Sequence, residues 1–362
     1  MVQSSQAGAD VVRLAKPDVG EEELELIRQV LESGQLTMGP MVDEFERLLA
    51  GIAGTRHAAA VSSGTAALHV AVLALRIGPG DEVLVPAYTF PATGNVVALV
   101  GATPVLVDVD PVTMNMDAAD AARRVTPRTK AILAVHLFGR PAALEELPSG
   151  VPIIEDAAGA LGARRGDRPC GSLGALACFS FHPRKIVTTG EGGAVTTDDA
   201  ALDETVRSLR HHGWQGAYED MPLPAFNYRL SDVLAALGIP QLRRFDELYA
   251  AYDRIAAGYS ERLAHLPVTV PITDPGDRHG WQAYVVQVDD RDRVLAGLRE
   301  QGIQGQIGTY ALHRLSAYAD QGPFPGADAA FERALALPLH AGLTGAELDR
   351  VATALDKVVS HH

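Results

Sequence analysis

Short apolar runs alternate with helix-length segments through the first half of the chain. The runs lie at residues 58–61, 82–85, 104–107, 131–135 and 152–154, and polar or turn-forming residues bound each of them. Strands of this length separated by helical segments are typical of β-α-β units. The pattern therefore predicts an α/β fold in which helices cover both faces of a large, mostly parallel sheet.

Apolar residues at helical spacing come before the first of these strands. Residues 21–33 have this spacing, with acidic residues in the first turn and Gly34 just past the end, and they predict a helix. A second helix is predicted over residues 42–51. Residues 1–15 are small and polar, so we expect a loose arm there.

The alternation of strands and helices breaks off in the last third of the chain. Two further helices are predicted over residues 246–263 and 291–301, on either side of an apolar strand over 281–288, and together they describe a smaller α+β domain. The predicted organisation is an arm over 1–15, a large domain over 16–245 whose residues 16–40 pack on the small domain, and a small domain over 246–362.

Composition and charge mainly exclude some classes of partner and of binding site. The 362 residues are 47% hydrophobic and 21% charged, which is ordinary for a folded protein. The net charge of −14 argues against nucleic acid or an anionic membrane as a partner. The 12 histidines lack metal-binding spacing, so no metal is expected. Two cysteines, with no signal peptide and no long apolar span, predict a cytoplasmic protein.

Lys185 is the first candidate for chemistry. The other lysines are Lys16, Lys130 and Lys357, and only Lys185 lies among glycines and hydroxyl residues, between two short strands in the middle of the chain. A desolvated lysine amine forms Schiff bases with carbonyl compounds. A solvated loop lysine explains this stretch, taken alone, equally well.

Two strand ends carry further candidates. Gly64 and Thr65 open a helix directly after a strand, where free amides and the helix dipole favour a phosphate; a plain helix cap is the alternative. Asp156 ends another apolar strand before a run of small residues, where a carboxylate can pair with a heterocyclic nitrogen or cap a helix. No Gly-x-Gly-x-x-Gly follows a strand and no Walker motif occurs, so dinucleotide or ATP binding has little support.

Together these features suggest pyridoxal phosphate (PLP) as the cofactor. PLP needs a lysine for its aldehyde, an acid against its ring nitrogen and an anion site for its phosphate. Lys185, Asp156 and the pair of Gly64 with Thr65 supply these groups, and Ser180 adds a hydroxyl near the lysine.

The sequence also resembles a known family, the DegT/DnrJ/EryC1/StrS sugar aminotransferases of fold type I, over residues 19–355. The motifs that carry the resemblance are Ser62-Ser63-Gly64-Thr65-Ala66-Ala67-Leu68, Pro79-Gly80-Asp81-Glu82-Val83, Tyr88-Thr89-Phe90, Glu155-Asp156-Ala157-Ala158, Phe179-Ser180-Phe181 before Lys185, Gly190-Glu191-Gly192-Gly193 and Asn227-Tyr228-Arg229-Leu230-Ser231-Asp232. By this resemblance the sheet would be of the seven-stranded type, and PLP would be held by Gly64, Thr65, Phe90, Asp156, Ser180, Lys185 and Asn227.

The resemblance implies a separate role for each of these residues. Lys185 would be the internal aldimine lysine, Asp156 would pair with the pyridine nitrogen, and Phe90 would stack on the ring. Asn227 would contact the phosphate in a neighbouring subunit, so that a homodimer with shared active sites is the smallest active unit.

Substrate contacts are less defined by the resemblance. Arg229 would hold the substrate carboxylate or pack in the subunit interface. Tyr310 or His313 would touch an anionic sugar nucleotide, although a packed tyrosine and a surface histidine explain them as well. Many relatives carry a polar side chain such as glutamine where this chain has Gly159, so one contact to cofactor or substrate would be absent or replaced by water.

The expected activity is transfer of an amino group from an amino acid, glutamate, to a keto group of a nucleotide-linked sugar, with pyridoxamine phosphate formed between the half-reactions. A cyclitol or aminoshikimate-type aminotransferase is the alternative within the family. A pyridoxamine-dependent sugar dehydratase is disfavoured, because that branch has histidine at the lysine position. A cofactor-binding regulatory protein would be a different class, but no basic helix-turn-helix segment supports it.

Overall fold

The protein is described here by a computed structural model that covers residues 11–216 and 220–360. The helices are α1 Glu21–Ser33, α2 Pro40–Ala53, α3 Gly64–Ala74, α4 Ala92–Leu99, α5 Ala118–Arg124, α6 Ala200–Leu209, α7 Asp232–Arg243, α8 Phe245–Leu263, α9 Arg291–Glu300, α10 Pro325–Arg333 and α11 Gly345–Ser360. The strands are β1 His57–Val61, β2 Glu82–Pro86, β3 Tyr88–Thr89, β4 Thr103–Val107, β5 Thr129–Val135, β6 Ile153–Asp156, β7 Arg164–Arg165, β8 Arg168–Pro169, β9 Leu176–Ser180, β10 Gly193–Thr197, β11 Tyr284–Gln287, β12 Gln306–Ile307, β13 Tyr310–Ala311 and β14 Ala334–Leu337.

The main sheet has seven strands in the order β1-β10-β9-β6-β5-β2-β4. Strand β10 runs antiparallel to both of its neighbours, and the pairs from β9 to β4 are parallel. The predicted α/β fold with a large, mostly parallel sheet is confirmed. Because these strands end at one edge of the sheet, their last residues come together there.

The two faces of the main sheet pack into different hydrophobic cores. Ala58 and Ala60 of β1 pack into one core with α2 and α7, whereas Ala59 and Val61 pack into the other with α3. Successive side chains of a strand point to opposite faces, and here both faces are buried. This is why the strands read in the sequence as continuous apolar runs rather than as alternating ones.

A smaller antiparallel sheet, in the order β11-β14-β12, is formed by the C-terminal part of the chain. Helix α11 packs against both α8 and α9. The predicted domain boundary near residue 245 stays a prediction. Among the described residues, no helix is both long enough and apolar enough to cross a membrane.

The N-terminal segment differs from the predicted loose arm. Residues 1–10 lie outside the described residues. Val12, however, is buried and pairs through its backbone with the C-terminal part of the chain. Its N–H donates to the Gly302 carbonyl (3.0 Å), and its carbonyl accepts from the Gln304 N–H (2.9 Å). Two apolar residues, Val11 and Val12, within an otherwise polar stretch were the signal for this short pairing.

Helix α1 also differs from the prediction that residues 16–40 pack on the small domain. Its main packing partner is α7, and the carboxylate of Glu23 accepts a hydrogen bond from Arg244 (2.6 Å). The loop after α1 is fixed by Asp232, whose carboxylate accepts from the N–H groups of Gly39 (2.8 Å) and Met41 (3.0 Å). A buried acid that caps a helix from a distant part of the chain decides this placement, and sequence periodicity does not reveal it.

Candidate active site

A pocket of about 430 Å³ opens where strands β5, β6 and β9 end. Six of the residues selected from the sequence line it together: Gly64, Thr65, Phe90, Asp156, Ser180 and Lys185. They come from separate parts of the chain, and the common edge of the strands brings them into one site. Tyr310 lines the same pocket.

Glu155 and Asp156 are adjacent on β6, and their side chains point to opposite faces of the sheet because side chains alternate along a strand. Glu155 is fully buried, and its carboxylate accepts from His136 Nε2 (2.8 Å) and from the N–H groups of Gly171, Leu173 and Gly174 (each 2.7 Å). Burial opposes the charged form, but these hydrogen bonds outweigh it and lower the pKa of Glu155. This acid therefore holds a loop in place, and it is not free for chemistry.

Asp156 faces the pocket and keeps hydrogen-bonding capacity. Its Oδ2 accepts from the Thr93 hydroxyl (2.8 Å) and its Oδ1 from the Ala158 N–H (3.2 Å). Burial raises the pKa of Asp156, while these hydrogen bonds and the positive charge of Lys185 oppose the rise. A buried carboxylate of this kind gains most from a cationic partner placed in the pocket.

Lys185 lies on the loop that joins β9 to β10 and reaches the pocket from the side of β9. The loop is closed by hydrogen bonds from the Lys185 N–H to the His182 carbonyl (2.8 Å) and from the Phe181 N–H to the Gly192 carbonyl (2.9 Å). Burial lowers the pKa of the Lys185 amine to about 8, aided by the charge of Arg184 and opposed by Asp156. Near neutral pH, a substantial fraction of the amine is therefore unprotonated and nucleophilic.

Helix α3 presents its N-terminus to the pocket. The Ser63 side chain caps the helix by accepting from the Ala66 N–H (3.0 Å), and the Ser63 carbonyl accepts from the Ala67 N–H (3.0 Å). The amides of Gly64 and Thr65 have no acceptor among residues 11–216 and 220–360. Together with the helix dipole they form a cradle for an anion, and Ser180 lies beside it.

Gly64 is needed for this cradle because Ser180 approaches it so closely. A Cβ atom added at position 64 would lie 2.8 Å from Cβ and 3.2 Å from Oγ of Ser180. Only glycine lets the end of β9 and the start of α3 meet at that distance.

Phe90 and Tyr310 form the open rim of the pocket. Their ring centroids are 6.2 Å apart in an edge arrangement, and 60% of Phe90 is exposed. Strand β13, which carries Tyr310, pairs with β3, so the rim joins the C-terminal part of the chain to the main sheet. An exposed aromatic face at a polar pocket suits a planar ligand.

Three predicted site residues are not brought into this pocket. His313 Nε2 forms a hydrogen bond with Asp328 Oδ1 of α10 (3.0 Å), which holds this imidazole away from the pocket. Asn227 is exposed and accepts from the Arg229 N–H (3.2 Å), while the Arg229 guanidinium contacts His211. Within one subunit, then, Asn227, Arg229 and His313 lie outside the pocket, and their expected roles stay predictions.

Four groups that line the pocket or support it are not among the residues predicted from the sequence. Thr93 supports Asp156, Arg184 donates to Gln306 Oε1 (2.6 Å), and Gln282 lies beside Gly159. Thr93 lies four residues after Thr89 of the Tyr88-Thr89-Phe90 motif, and Arg184 adjoins the lysine, so both had a local signal. Gln282 and Gln306 come from the C-terminal part of the chain and had none.

The pocket thus unites an amine of lowered pKa, a buried carboxylate, an anion cradle and an aromatic rim. The profile of the DegT/DnrJ/EryC1/StrS aminotransferase family matches residues 17–356. GDP-perosamine synthase from Caulobacter vibrioides is 40% identical over 364 residues, which covers 96% of this chain and 98% of that protein.

Two solved structures have folds similar to that of this chain. DesI, solved in the presence of its TDP-sugar product, is 35% identical with a TM-score of 0.92, covering 98% of this chain and 94% of DesI. The PLP form of Spr1654, a sugar aminotransferase candidate from Streptococcus pneumoniae, is 29% identical with a TM-score of 0.92, covering 97% of this chain and 99% of that one.

Proposed function

The chain belongs to the DegT/DnrJ/EryC1/StrS aminotransferase family, and on that basis we propose that it moves an amino group from L-glutamate to a keto group of a nucleotide-linked sugar. It is an aminotransferase of a PLP-dependent family. Relatives named for GDP-perosamine and for a TDP-sugar product support the sugar nucleotide as acceptor. The observation that carries the proposal is the meeting of Lys185, Asp156 and the cradle of α3 in one pocket.

The pocket fits PLP group by group. Lys185 would hold the cofactor covalently, Asp156 would face its ring nitrogen, and the amides of Gly64 and Thr65 with the Ser180 hydroxyl would hold its phosphate. Bound PLP supplies a protonated heteroaromatic ring that takes up electron density from the substrate. The exposed face of Phe90 would cover the ring.

Lys185 would also move the proton. A pKa of about 8 lets the amine accept a proton from a carbon of the substrate and return it, since a base works best when its pKa is close to the operating pH. Asp156 would remain ionised beside a cationic ring nitrogen, because the paired charge offsets the cost of its burial. Thr93 fixes the carboxylate orientation through its 2.8 Å hydrogen bond.

We propose a homodimer with shared sites, and the exposed position of Asn227 supports it. This residue is exposed, and the neighbouring side chains Met221, Leu223 and Phe226 are 46%, 44% and 60% exposed. Apolar side chains clustered in one exposed segment mark an association surface. A second copy that buries this segment would bring Asn227, and Arg229 with it, to the neighbouring pocket. The free, buried cysteines Cys170 and Cys178 are consistent with a cytoplasmic location, which we also propose.

The activity is tested with a panel of nucleotide-linked keto-sugars and glutamate, with formation of 2-oxoglutarate as the readout. We expect turnover with at least one sugar nucleotide and a pyridoxyl adduct on Lys185 after borohydride reduction. An adduct on Lys16, Lys130 or Lys357 would overturn the assignment of the site. Turnover of a keto-cyclitol but of no sugar nucleotide would overturn the acceptor class.

Shared sites are tested by mixing inactive Lys185→Ala subunits with weakened Asn227→Ala subunits. In a mixed dimer with shared sites, one site carries both lesions and the other carries none, so activity should return on subunit exchange. No return of activity, although exchange is demonstrated by mass spectrometry, would show that Asn227 serves its own subunit.

A further inference from the structure

Gln282 occupies the space that a side chain at position 159 would need. A Cβ atom added to Gly159 would lie 3.1 Å from Cβ, 3.2 Å from Cγ and 3.4 Å from Oε1 of Gln282. The backbone of Gly159 is not in the left-handed region, so its conformation does not call for glycine. The glycine is therefore explained by the close approach of Gln282.

The carboxamide of Gln282 is held in the pocket without a hydrogen bond of its own. Its backbone N–H donates to the Phe138 carbonyl (3.1 Å), and the preceding Trp281 stacks on His279 with ring centroids 4.0 Å apart. Across residues 11–216 and 220–360, no group bonds to the Gln282 side chain. It lines the main pocket and also a smaller cavity that it shares with Lys185.

The strand order places this carboxamide on one particular side of the pocket. The anion cradle lies towards β1 and β9, and Asp156 ends β6. Gln282 is bonded to Phe138, which follows β5 on the other side of β6. In the strand order, Asp156 therefore lies between the phosphate cradle and the position where the backbone of Gln282 is anchored.

We propose that Gln282 donates a hydrogen bond to the phenolic oxygen of PLP, and that Gly159 is the residue that admits it; this rests on the proposed function. In PLP the phosphate arm and the phenolic oxygen flank the aldehyde carbon on opposite sides of the ring, and the ring nitrogen lies across from that carbon. With Lys185 at the aldehyde, Asp156 at the nitrogen and the phosphate in the cradle of α3, the phenolic oxygen faces the side of Gln282. A carboxamide N–H is a suitable donor to that oxygen.

A donor at this oxygen favours its deprotonated, negatively charged form. Removing the donor therefore raises the pH midpoint of the absorption change of the bound cofactor. A hydrogen bond to a charged group contributes enough that we expect cofactor binding to weaken about 10-fold to 100-fold and the midpoint to rise by about 1 to 2 pH units.

The test compares Gln282→Met with a double variant, Gly159→Gln with Gln282→Ala. Methionine keeps the volume beside Gly159 and removes the donor. In the double variant, the side chain at position 159 carries the carboxamide and enters the same space from the opposite side. The readouts are the dissociation constant of PLP by equilibrium titration and the pH midpoint of the bound cofactor's absorption, with the melting temperature of each apoprotein as a control for folding.

We expect Gln282→Met to weaken binding and raise the midpoint at an unchanged melting temperature, and the double variant to return both values towards the wild type. An unchanged midpoint and affinity in Gln282→Met, or a change confined to the KM of the sugar acceptor, would overturn the proposal. If Gln282→Met loses its fold, Gln282→Ala takes its place as the variant without a donor, and a midpoint raised as far in the double variant as in Gln282→Ala would refute the assignment. Failure of the wild type to bind PLP at Lys185 would instead refute the proposed function.

Discussion

The anion cradle can be tested by a change of one methyl group, Gly64→Ala. The added Cβ would meet Ser180 Cβ at 2.8 Å, and carbon atoms pack at about 3.5 Å, so the start of α3 and the end of β9 must separate by roughly 0.7 Å. A separation of that size stretches a phosphate hydrogen bond of about 2.9 Å beyond the range in which it contributes. The fold itself should survive, because α3 and β9 each contribute several buried residues to the hydrophobic cores.

The expected loss follows from the number of contacts displaced. One hydrogen bond to a charged phosphate contributes about 1.5–3 kcal/mol, and about 1.4 kcal/mol corresponds to a tenfold change in affinity. Gly64→Ala should therefore bind PLP about 10-fold to 100-fold more weakly. Pyridoxal, which has no phosphate, should bind both proteins alike.

The assay is a spectroscopic titration of each protein with PLP and with pyridoxal. Gly51→Ala is the matched control, because a Cβ added at that position in α2 has no heavy atom within 4 Å. We expect this control to bind PLP normally. Equal affinity of Gly64→Ala and wild type for PLP, or an equal loss for PLP and pyridoxal, would show that the phosphate does not lie at the start of α3.

Three further predictions concern the acid, the amine and the scaffold. Asp156→Asn should keep the melting temperature while transamination falls by about 10²-fold to 10⁴-fold, because the neutral amide no longer keeps the ring nitrogen charged; near-normal turnover would contradict this. In the apoprotein, acylation of Lys185 should rise with pH and level off above about 8, since the unprotonated amine reacts, and a rise continuing to pH 10 would contradict the lowered pKa. Glu46→Ala should lower the free energy of unfolding by about 3–5 kcal/mol in urea titrations, because it leaves buried Arg210 unpaired; a loss below about 1 kcal/mol would refute that.

The elements of the main sheet could be predicted because their signals are local. The helix expected over residues 21–33 is found at Glu21–Ser33, and the strand expected over 104–107 at Thr103–Val107. Apolar runs buried on both faces and a glycine at a helix end fix such elements within a few residues. The strand expected over 281–288 is shorter, at Tyr284–Gln287, because Trp281 turns into the left-handed region and interrupts the extended backbone.

The parts that could not be predicted depend on contacts between distant residues. Asp156 was predicted because it ends an apolar strand before small residues, and Lys185 because it lies among glycines and hydroxyl residues in a loop between two strands. Thr93 bonds to an acid 63 positions away, and Gln282 reaches Gly159 across the boundary between the two sheets. His313 was placed near the substrate by its loop, whereas the structure pairs it with Asp328. Pairings of this kind form only when the chain has folded, and the periodicity of apolar residues in the sequence does not predict them.

The antiparallel strand β10 has a consequence for how the protein acquires its reactivity. Because β10 runs back along β9, the loop that carries Lys185 joins two neighbouring strands, and closing about a dozen residues costs little chain entropy. The parallel pair of β6 with β9 is joined instead through a longer connection. We expect the lysine hairpin to form early in folding, while its amine is still hydrated and behaves as an ordinary lysine. The amine then becomes nucleophilic only when the surrounding sheet closes over it, because burial is what lowers its pKa.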